Sequence, residues 1–407
     1  MLIEQYVFIT IFFAAFAFFI YIHVAYPFWV HMPVSHTYDL HHRFFNSNIS
    51  VLQQYPYKNK WISHKEVKTI SYHDSTDACK TEVLDQLNCN YIPSDSILFT
   101  IEKKHLDVLF SGHFDTPFIT TYYSSIGPLG KTTSNKLEGS LGCIASYPVR
   151  ILYRQEKTSA NFMVFLACDR ENPIKKEITR NLIATHEYNS RNRVTDIKIS
   201  ILKKHTGSCE GVRPLLTFST HLFYIGGSKG STNTMQVEQV YRQNWSLMQD
   251  IADLLPQMFE FCAYMDVGAM KARVDAGQLW IFCIKHGRDI VAAYFIEDAM
   301  MLYEKVNDYG GKTLNLVASM CNMKKKSKEN MNINIFVKGF AECLAMIHKQ
   351  NRDYAMLLMD DVGHNQILVK EIVPTGTLEI VKTTGAYYMI NGFVKEPVNA
   401  NRAFMLI

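Results

Sequence analysis

Hydrophobic positions are distributed unevenly along the chain. From Gln5 to Tyr38 there is no Asp, Glu, Lys or Arg, and Tyr6 to Ala25 is almost continuous Phe, Ile, Val and Ala. About 20 such residues make a helix roughly 30 Å long, the thickness of a bilayer's hydrocarbon core. Tyr21 and Tyr26 suit the interfacial layer. A cleavable signal peptide calls for a basic leader, whereas residues 1–5 (MLIEQ) carry Glu4 and no Lys or Arg. A buried helix of a globular core is the other competing reading. Length and composition favour a single N-terminal transmembrane helix over residues 6–26. Arg43, Lys58, Lys60 and Lys65 all follow it and no basic side chain precedes it, so the positive-inside rule places the C-terminal body in the cytosol. The sequons at Asn48 and Asn244 are then chance occurrences, because glycosylation needs the lumenal side.

Beyond residue 26 the periodicity becomes that of a globular body. Leu141 to Ala145 and Val149 to Tyr153 are apolar runs around Tyr147-Pro148, which predicts a bent strand or a hairpin. Asn161 to Ala167 predicts a buried strand. Asn172-Pro173 reads as an N-cap and first-turn proline, opening a helix to about Tyr188 with Ile174, Ile178 and Leu182 at helical spacing. Asp196 to Leu202 alternates like a strand. In the second half, Gln278 to Lys285 and Asp289 to Ile296 predict strands around a turn. Asn332 to His348 predicts a helix, and Tyr354 to Met359 and Ala386 to Asn391 predict strands. The polar, glycine-rich run from Gly226 to Asn233 marks a boundary near 230. The expected organisation is an α+β body of two similar halves, 27–230 and 231–407.

Composition narrows the function classes. Of 407 residues, 48% are hydrophobic and 20% charged, which excludes wholesale disorder. The surplus of 42 basic over 38 acidic residues is thinly spread and implies no nucleic-acid partner. Nine cysteines without a CxxC pair speak against zinc ribbons and redox pairs and suit a reducing compartment. No metal site is expected. His186-Glu187 is not followed by a histidine at position 190, and Asp39-Leu40-His41-His42 lacks a fourth ligand. Met356 and Met359 read as core residues, and Cys168 as an inert small hydrophobe.

One stretch carries chemistry: Phe165-Leu166-Ala167-Cys168-Asp169-Arg170, then Asn172 to Lys176. Backbone amides at a strand end can polarise a thioester carbonyl. A loop entering a helix N-terminus presents further amides and a dipole to a pyrophosphate. Lys175 and Lys176 stand in the first turn, where the helix dipole disfavours cations and an anionic ligand would relieve the conflict. A solvated loop is the plainer alternative.

Around this stretch lie segments that resemble glycylpeptide N-tetradecanoyltransferases, the N-myristoyltransferases. Phe28-Trp29-Val30-His31-Met32-Pro33-Val34 resembles the family's Phe-Trp-x-x-Gln-Pro-Val, with Met32 where the family has Gln. Asn88-Cys89-Asn90-Tyr91-Ile92, Lys136-Leu137-Glu138-Gly139, Phe165-Leu166, Glu177-Ile178-Thr179-Arg180, Tyr387-Tyr388-Met389-Ile390-Asn391 and Phe404-Met405-Leu406-Ile407 follow in the family's order. The segment from Cys168 to Glu177 is shorter than the family's basic pyrophosphate loop, and the Tyr-Thr-Ala-Gly element survives at most as His205-Thr206-Gly207. The resemblance implies two tandem GNAT-like (acyl-CoA N-acyltransferase) halves, the first binding acyl-CoA and the second much of the peptide. It implies transfer of myristate from myristoyl-CoA to the N-terminal glycine of a protein. The amides of Phe165 and Leu166 would form the oxyanion hole and the carboxylate of Ile407 would take the amine's proton. Phe28 and Trp29 would cover the donor, and Ala167, Cys168, Arg170, Lys175 and Lys176 would bind it. A GNAT-type N-acetyltransferase, or an inactive relative that binds acyl-CoA or protein, are the alternatives.

Overall fold

A computed structural model describes residues 2–39, 49–92, 96–123, 139–194, 196–225, 237–287, 289–306, 309–322, 329–372 and 378–407. The glycine-rich run 226–233, Arg43, His41, His42, the Asn48 sequon and Lys136 to Glu138 lie outside the described residues.

Helix α1 (Leu2–Ala25) stands apart from the body. Gln5 through Tyr21 are exposed on every side of it, and it is long and apolar enough to cross a membrane. Only its last turns meet the body, where Phe18 and Tyr26 pack their rings against Tyr38 at 5.9 and 6.4 Å.

The body is α+β. Its labelled strands are β1 (Phe118–Tyr123), β2 (Ser140–Tyr153), β3 (Glu156–Cys168), β4 (Ile199–Lys204), β5 (Leu216–Tyr224), β6 (Phe261–Met265), β7 (Leu279–His286), β8 (Asp289–Val306), β9 (Tyr309–Cys321), β10 (Tyr354–Asp360), β11 (Leu378–Ile390) and β12 (Ala403–Leu406). Helices used below are α2 (Asp77–Asn90), α3 (Lys175–Arg193) and α4 (Glu329–Gln350). Among the described residues one mixed sheet runs β12-β6-β2-β3-β4-β11-β5-β10-β9-β8-β7, with β1 alongside β2.

The same unit occurs twice. In the first half β3, α3 and β4 form a strand, helix and parallel strand, and β9, α4 and β10 repeat it in the second. Each unit's second strand borders a strand exchanged from the other half, since β11 pairs with β4 and β5 pairs with β10. The exchange makes the two halves one continuous sheet. It also draws the termini together: Val34 bridges to Ile390, Pro33 accepts from the Asn391 amide, and the Asn391 side chain holds the backbone of Gln53 and Lys198.

Several elements depart from the sequence reading. The runs on either side of Tyr147-Pro148 form one continuous strand, not a hairpin. Asn172 is not the cap of α3. The helix starts at Lys175 after Ile174, which has no side-chain cap, and Asn172 instead accepts from the Ile174 amide at 3.1 Å in the preceding turn. The helix continues past Tyr188 to Arg193.

That continuation carries a polar layer into the interior. Ile178 and Leu182 bury their side chains as the periodicity requires, but one turn on, His186, Glu187, Ser190 and Arg191 are also buried. His186 Nδ1 lies 2.8 Å from the Thr120 hydroxyl, and Ser200 donates to Glu187 Oε2 at 2.5 Å. Arg191 reaches Glu187 Oε1 at 3.6 Å and donates to the Gln53 carbonyl at 3.0 Å. Burial outweighs Arg191 and Ser200 and lifts the Glu187 acid from 4.5 to about 7. Between those values the folded state holds a proton that the unfolded state has lost, so Glu187's contribution to stability falls as pH rises. In urea titrations, Glu187→Gln is expected to gain on the native chain by on the order of 2 kcal/mol between pH 4.5 and 7 and by nothing further above that. A gap independent of pH would show that Glu187 is ionised throughout.

Candidate active site

The parallel pairing of β3 with β4 runs from Ala160 opposite Ile199 to Met163 opposite Leu202 and then stops. From Val164 to Cys168, β3 pairs with no residue of β4 among the described residues. At the same level β3 departs from regular register with β2. Cys143 pairs with Ala167 and Ala145 with Val164, so two steps on β2 face three on β3. This is a β-bulge, a device that re-aims backbone and side chains. Its centre is Phe165, at φ +58°. A bulky residue in the left-handed region is costly and persists only where its surroundings impose it. Here the ring is held by Tyr91, Phe99 and Phe110 at centroid distances of 5.5, 6.1 and 6.4 Å. Tyr91 belongs to the Asn88 to Ile92 segment, whose Asn88 side chain is bonded to the Ile101 backbone.

Downstream of the bulge, Ala167 and Cys168 are buried and burial pushes the Cys168 thiol up, which keeps it an unreactive SH. The chain turns at Asp169, whose amide donates to the Leu141 carbonyl at 2.9 Å, and Arg170 donates to the Ile92 carbonyl. Helix α3 then begins without a side-chain cap, its first turn pointing back to the strand end; Lys175 is half-buried and Lys176 exposed. Phe28 is buried beside Cys168, Ile178 and Leu182, with the Trp29 ring 4.8 Å away. The N-terminal Phe-Trp element, the bulged strand end and the start of α3 thus meet at one place.

The chain terminus reaches the same region from the other side. Ala403 to Leu406 are buried in β12, parallel to β6. Gly363 lets the strand in: it sits at φ +60°, and a Cβ there would lie 2.6 Å from the Ala403 carbonyl oxygen. Ile407 is half-buried and packs, with Phe165 and Met300, on the apolar cluster that contains Tyr147, Ala263 and Met405.

Some members of the site escape sequence reasoning. Trp61 meets Phe28 edge-to-face at 5.8 Å, donates to the Pro27 carbonyl at 3.3 Å and carries the Arg180 and Lys60 cations 5.0 and 5.2 Å from its ring. The basic-aromatic run Lys58 to Trp61 was its only signal. Lys203, just past the end of the parallel pairing, meets Asp360 at 2.6 Å and lies 5.7 Å from the Tyr387 ring. Burial alone would lower its amine, but Asp360 and Tyr387 outweigh burial and raise it, so it is a permanent cation. With the partners 157 positions apart in the chain, no local pattern announces the pair. Among the described residues no three His, Cys, Asp or Glu side chains gather as metal ligands.

No family model matches the chain, and no curated protein aligns with it. Solved structures do match. A crystal structure of Saccharomyces cerevisiae N-myristoyltransferase with bound myristoyl-CoA superposes with a TM-score of 0.68 over 92% of this chain and 94% of that one, at 11% identity. A second structure of that enzyme with myristoyl-CoA gives 0.67 over 93% and 91%, and a third, with myristoyl-CoA and inhibitors, gives 0.65 over 92% and 91%, both also at 11% identity. Nearly the whole of each chain is included in the superposition. Beyond helix α1, this chain has the N-myristoyltransferase fold.

Proposed function

We propose that the protein is an acyl-CoA-dependent acyltransferase that moves a fatty acyl group, myristoyl in the first instance, from CoA to the N-terminal glycine of a protein. The observation that carries this reading is the left-handed bulge at Phe165, placed where β3 leaves β4, next to Leu166 and Cys168 of the apolar cluster that holds Phe28 and Trp29. The fold shared with an enzyme solved with myristoyl-CoA supports it.

The roles follow from chemistry. The amides of Phe165 and Leu166 donate to the thioester oxygen as negative charge develops on it. Phe28 and Trp29, with Trp61 behind them, cover the donor. Ala167, Cys168, Arg170 and the first turn of α3 with Lys175 and Lys176 hold the pyrophosphate. The Ile407 carboxylate takes a proton from the acceptor's glycine ammonium. The freed amine then forms a bond to the acyl carbon, the carbon–sulfur bond breaks, and CoA leaves as a thiolate that is subsequently protonated. An α-carboxyl near 3.5 is a weak base toward an amine near 8, and burial beside Phe404 to Leu406 narrows the gap. In this reading residues 27–230 bind the donor and 231–407 much of the peptide. Helix α1 anchors the enzyme with its body in the cytosol, supported by Lys58, Lys60 and Lys65 following the helix.

The test is transfer from acyl-CoA donors of varied chain length to peptides that begin with glycine. Long-chain transfer to the glycine amine is the expected result; absence of transfer from every donor, with acyl-CoA bound, would establish a non-catalytic binding protein. Residues added after Ile407, or amidation of its carboxyl, should abolish transfer and leave acyl-CoA affinity within about twofold, because the donor binds the other half. Transfer at the native rate by an amidated chain would remove the terminus from the mechanism. Lys175→Glu and Lys176→Glu are each expected to weaken CoA roughly tenfold, and added salt to weaken it in the native chain. Unchanged affinity in both variants would make the loop a surface connection.

A further inference from the structure

A second cavity, of about 280 Å³, lies between Val30 to Pro33, the loop around Lys58 and the C-terminal half of α3. It adjoins the Phe28-Trp29 element at Val30 and lies toward the end of α3 opposite Lys175 and Lys176. Glu187 on its wall is twelve residues beyond Lys175, about 18 Å along the helix. A water occupies about 30 Å³ of liquid, so the space suits a molecule of several heavy atoms.

Its walls are charged in a specific way. Arg191 is buried and fixed in place by the Gln53 carbonyl, and Lys58 stands exposed at the rim. The acid among the lining residues is Glu187, 2% exposed. Its Oε2 accepts from Ser200, but Oε1 accepts no hydrogen bond, and the nearest Arg191 nitrogen is 3.6 Å away. A buried carboxyl oxygen without a donor is costly and calls for one from a ligand. Burial, with Lys60 and His23 nearby, pushes the His31 imidazole down, and Arg191 and Lys58 are the lining cations beside the one acid.

We propose that this cavity binds a polyol phosphate, its phosphate on Arg191 and Lys58 and a neighbouring hydroxyl on Glu187. Arginine and lysine match a phosphate's charge and oxygen acceptors. A hydroxyl is the group that serves Glu187 in either protonation state, accepting from the acid or donating to the carboxylate. Near its midpoint at about 7, both states are populated. An ammonium would require the carboxylate alone, and a bare phosphate would require the acid. The polyol phosphate is either a soluble metabolite or the headgroup of a lipid. The second source rests on the membrane reading of α1, whose end at Ala25 is five residues from the cavity wall at Val30.

The experiment uses the full chain in detergent and measures calorimetric binding of sn-glycerol 3-phosphate, methyl phosphate and glycerol. Glycerol 3-phosphate should bind saturably at millimolar concentration or below and about tenfold more tightly than methyl phosphate, which lacks the hydroxyl. Glycerol should not bind. Lys58→Glu, at an exposed position that folding does not need, should weaken glycerol 3-phosphate about tenfold, with acyl-CoA affinity unchanged. The same titration in nanodiscs of phosphatidylcholine, with and without phosphatidylglycerol, separates the sources. Blockage by phosphatidylglycerol identifies the headgroup, and equal binding in both identifies a soluble ligand. Absence of saturable glycerol 3-phosphate binding in detergent together with no enrichment of phosphatidylglycerol on the purified chain would overturn the site. So would binding that Lys58→Glu leaves unchanged. Neither result bears on acyl transfer, so the two readings fail separately.

Discussion

The separation of β3 from β4 after Met163 and Leu202 is the constraint on which the rest of the cleft depends. Parallel strands that continued to pair would satisfy the backbone of Val164 to Cys168 within the sheet and leave nothing to present to a ligand. The separation is held from both sides. On one side the bulge at Phe165 is clamped by Tyr91, Phe99 and Phe110. On the other, β4 is retained by the exchanged strand β11, through Ile390 opposite Ser200 to Ala386 opposite Lys204. A strand from the far end of the chain thus holds β4 along its opposite edge, from Ser200 to Lys204.

That arrangement joins strands from both sides of residue 230 in one sheet. β5, from before the boundary, pairs with β10 of the second unit, and β11 and β6, from after it, pair with β4 and β2 of the first. The N-terminal segment closes the circuit by docking Pro33 and Val34 against Ile390 and Asn391. The Phe28 to Val34 and Tyr387 to Asn391 segments, more than 350 residues apart in the chain, therefore meet at one seam. Their order along the chain carries no sign of that contact, though both stand out as family-like elements.

Much of the architecture was legible because it is local. The apolar run of α1, the alternation in β7 and β8, and the spacing of Ile178 and Leu182 in α3 depend on neighbours within a few residues. The stretch around Phe165 and Leu166 was legible as a strand end entering a loop and a helix. The left-handed turn at Phe165 was not, because three rings from remote segments impose it. The start of α3 was misplaced for a related reason. Asn172 and Pro173 form a persuasive local cap, yet the turn they make precedes the helix instead of opening it. The Lys203–Asp360 pair and the cavity beside Glu187 are products of tertiary packing alone, and a buried Glu or Lys cannot be told from an exposed one by spacing.

The central claim is that the amides at the bulge receive a thioester oxygen. The most direct measurement is a crystal structure of the chain with a non-cleavable ketone analogue of myristoyl-CoA, in which a methylene separates sulfur from the acyl carbonyl. The account predicts the carbonyl oxygen within about 3 Å of the amide nitrogens of Phe165 and Leu166, with the pyrophosphate at the first turn of α3. An analogue bound with its carbonyl elsewhere, while the Phe165 bulge is retained, would contradict it.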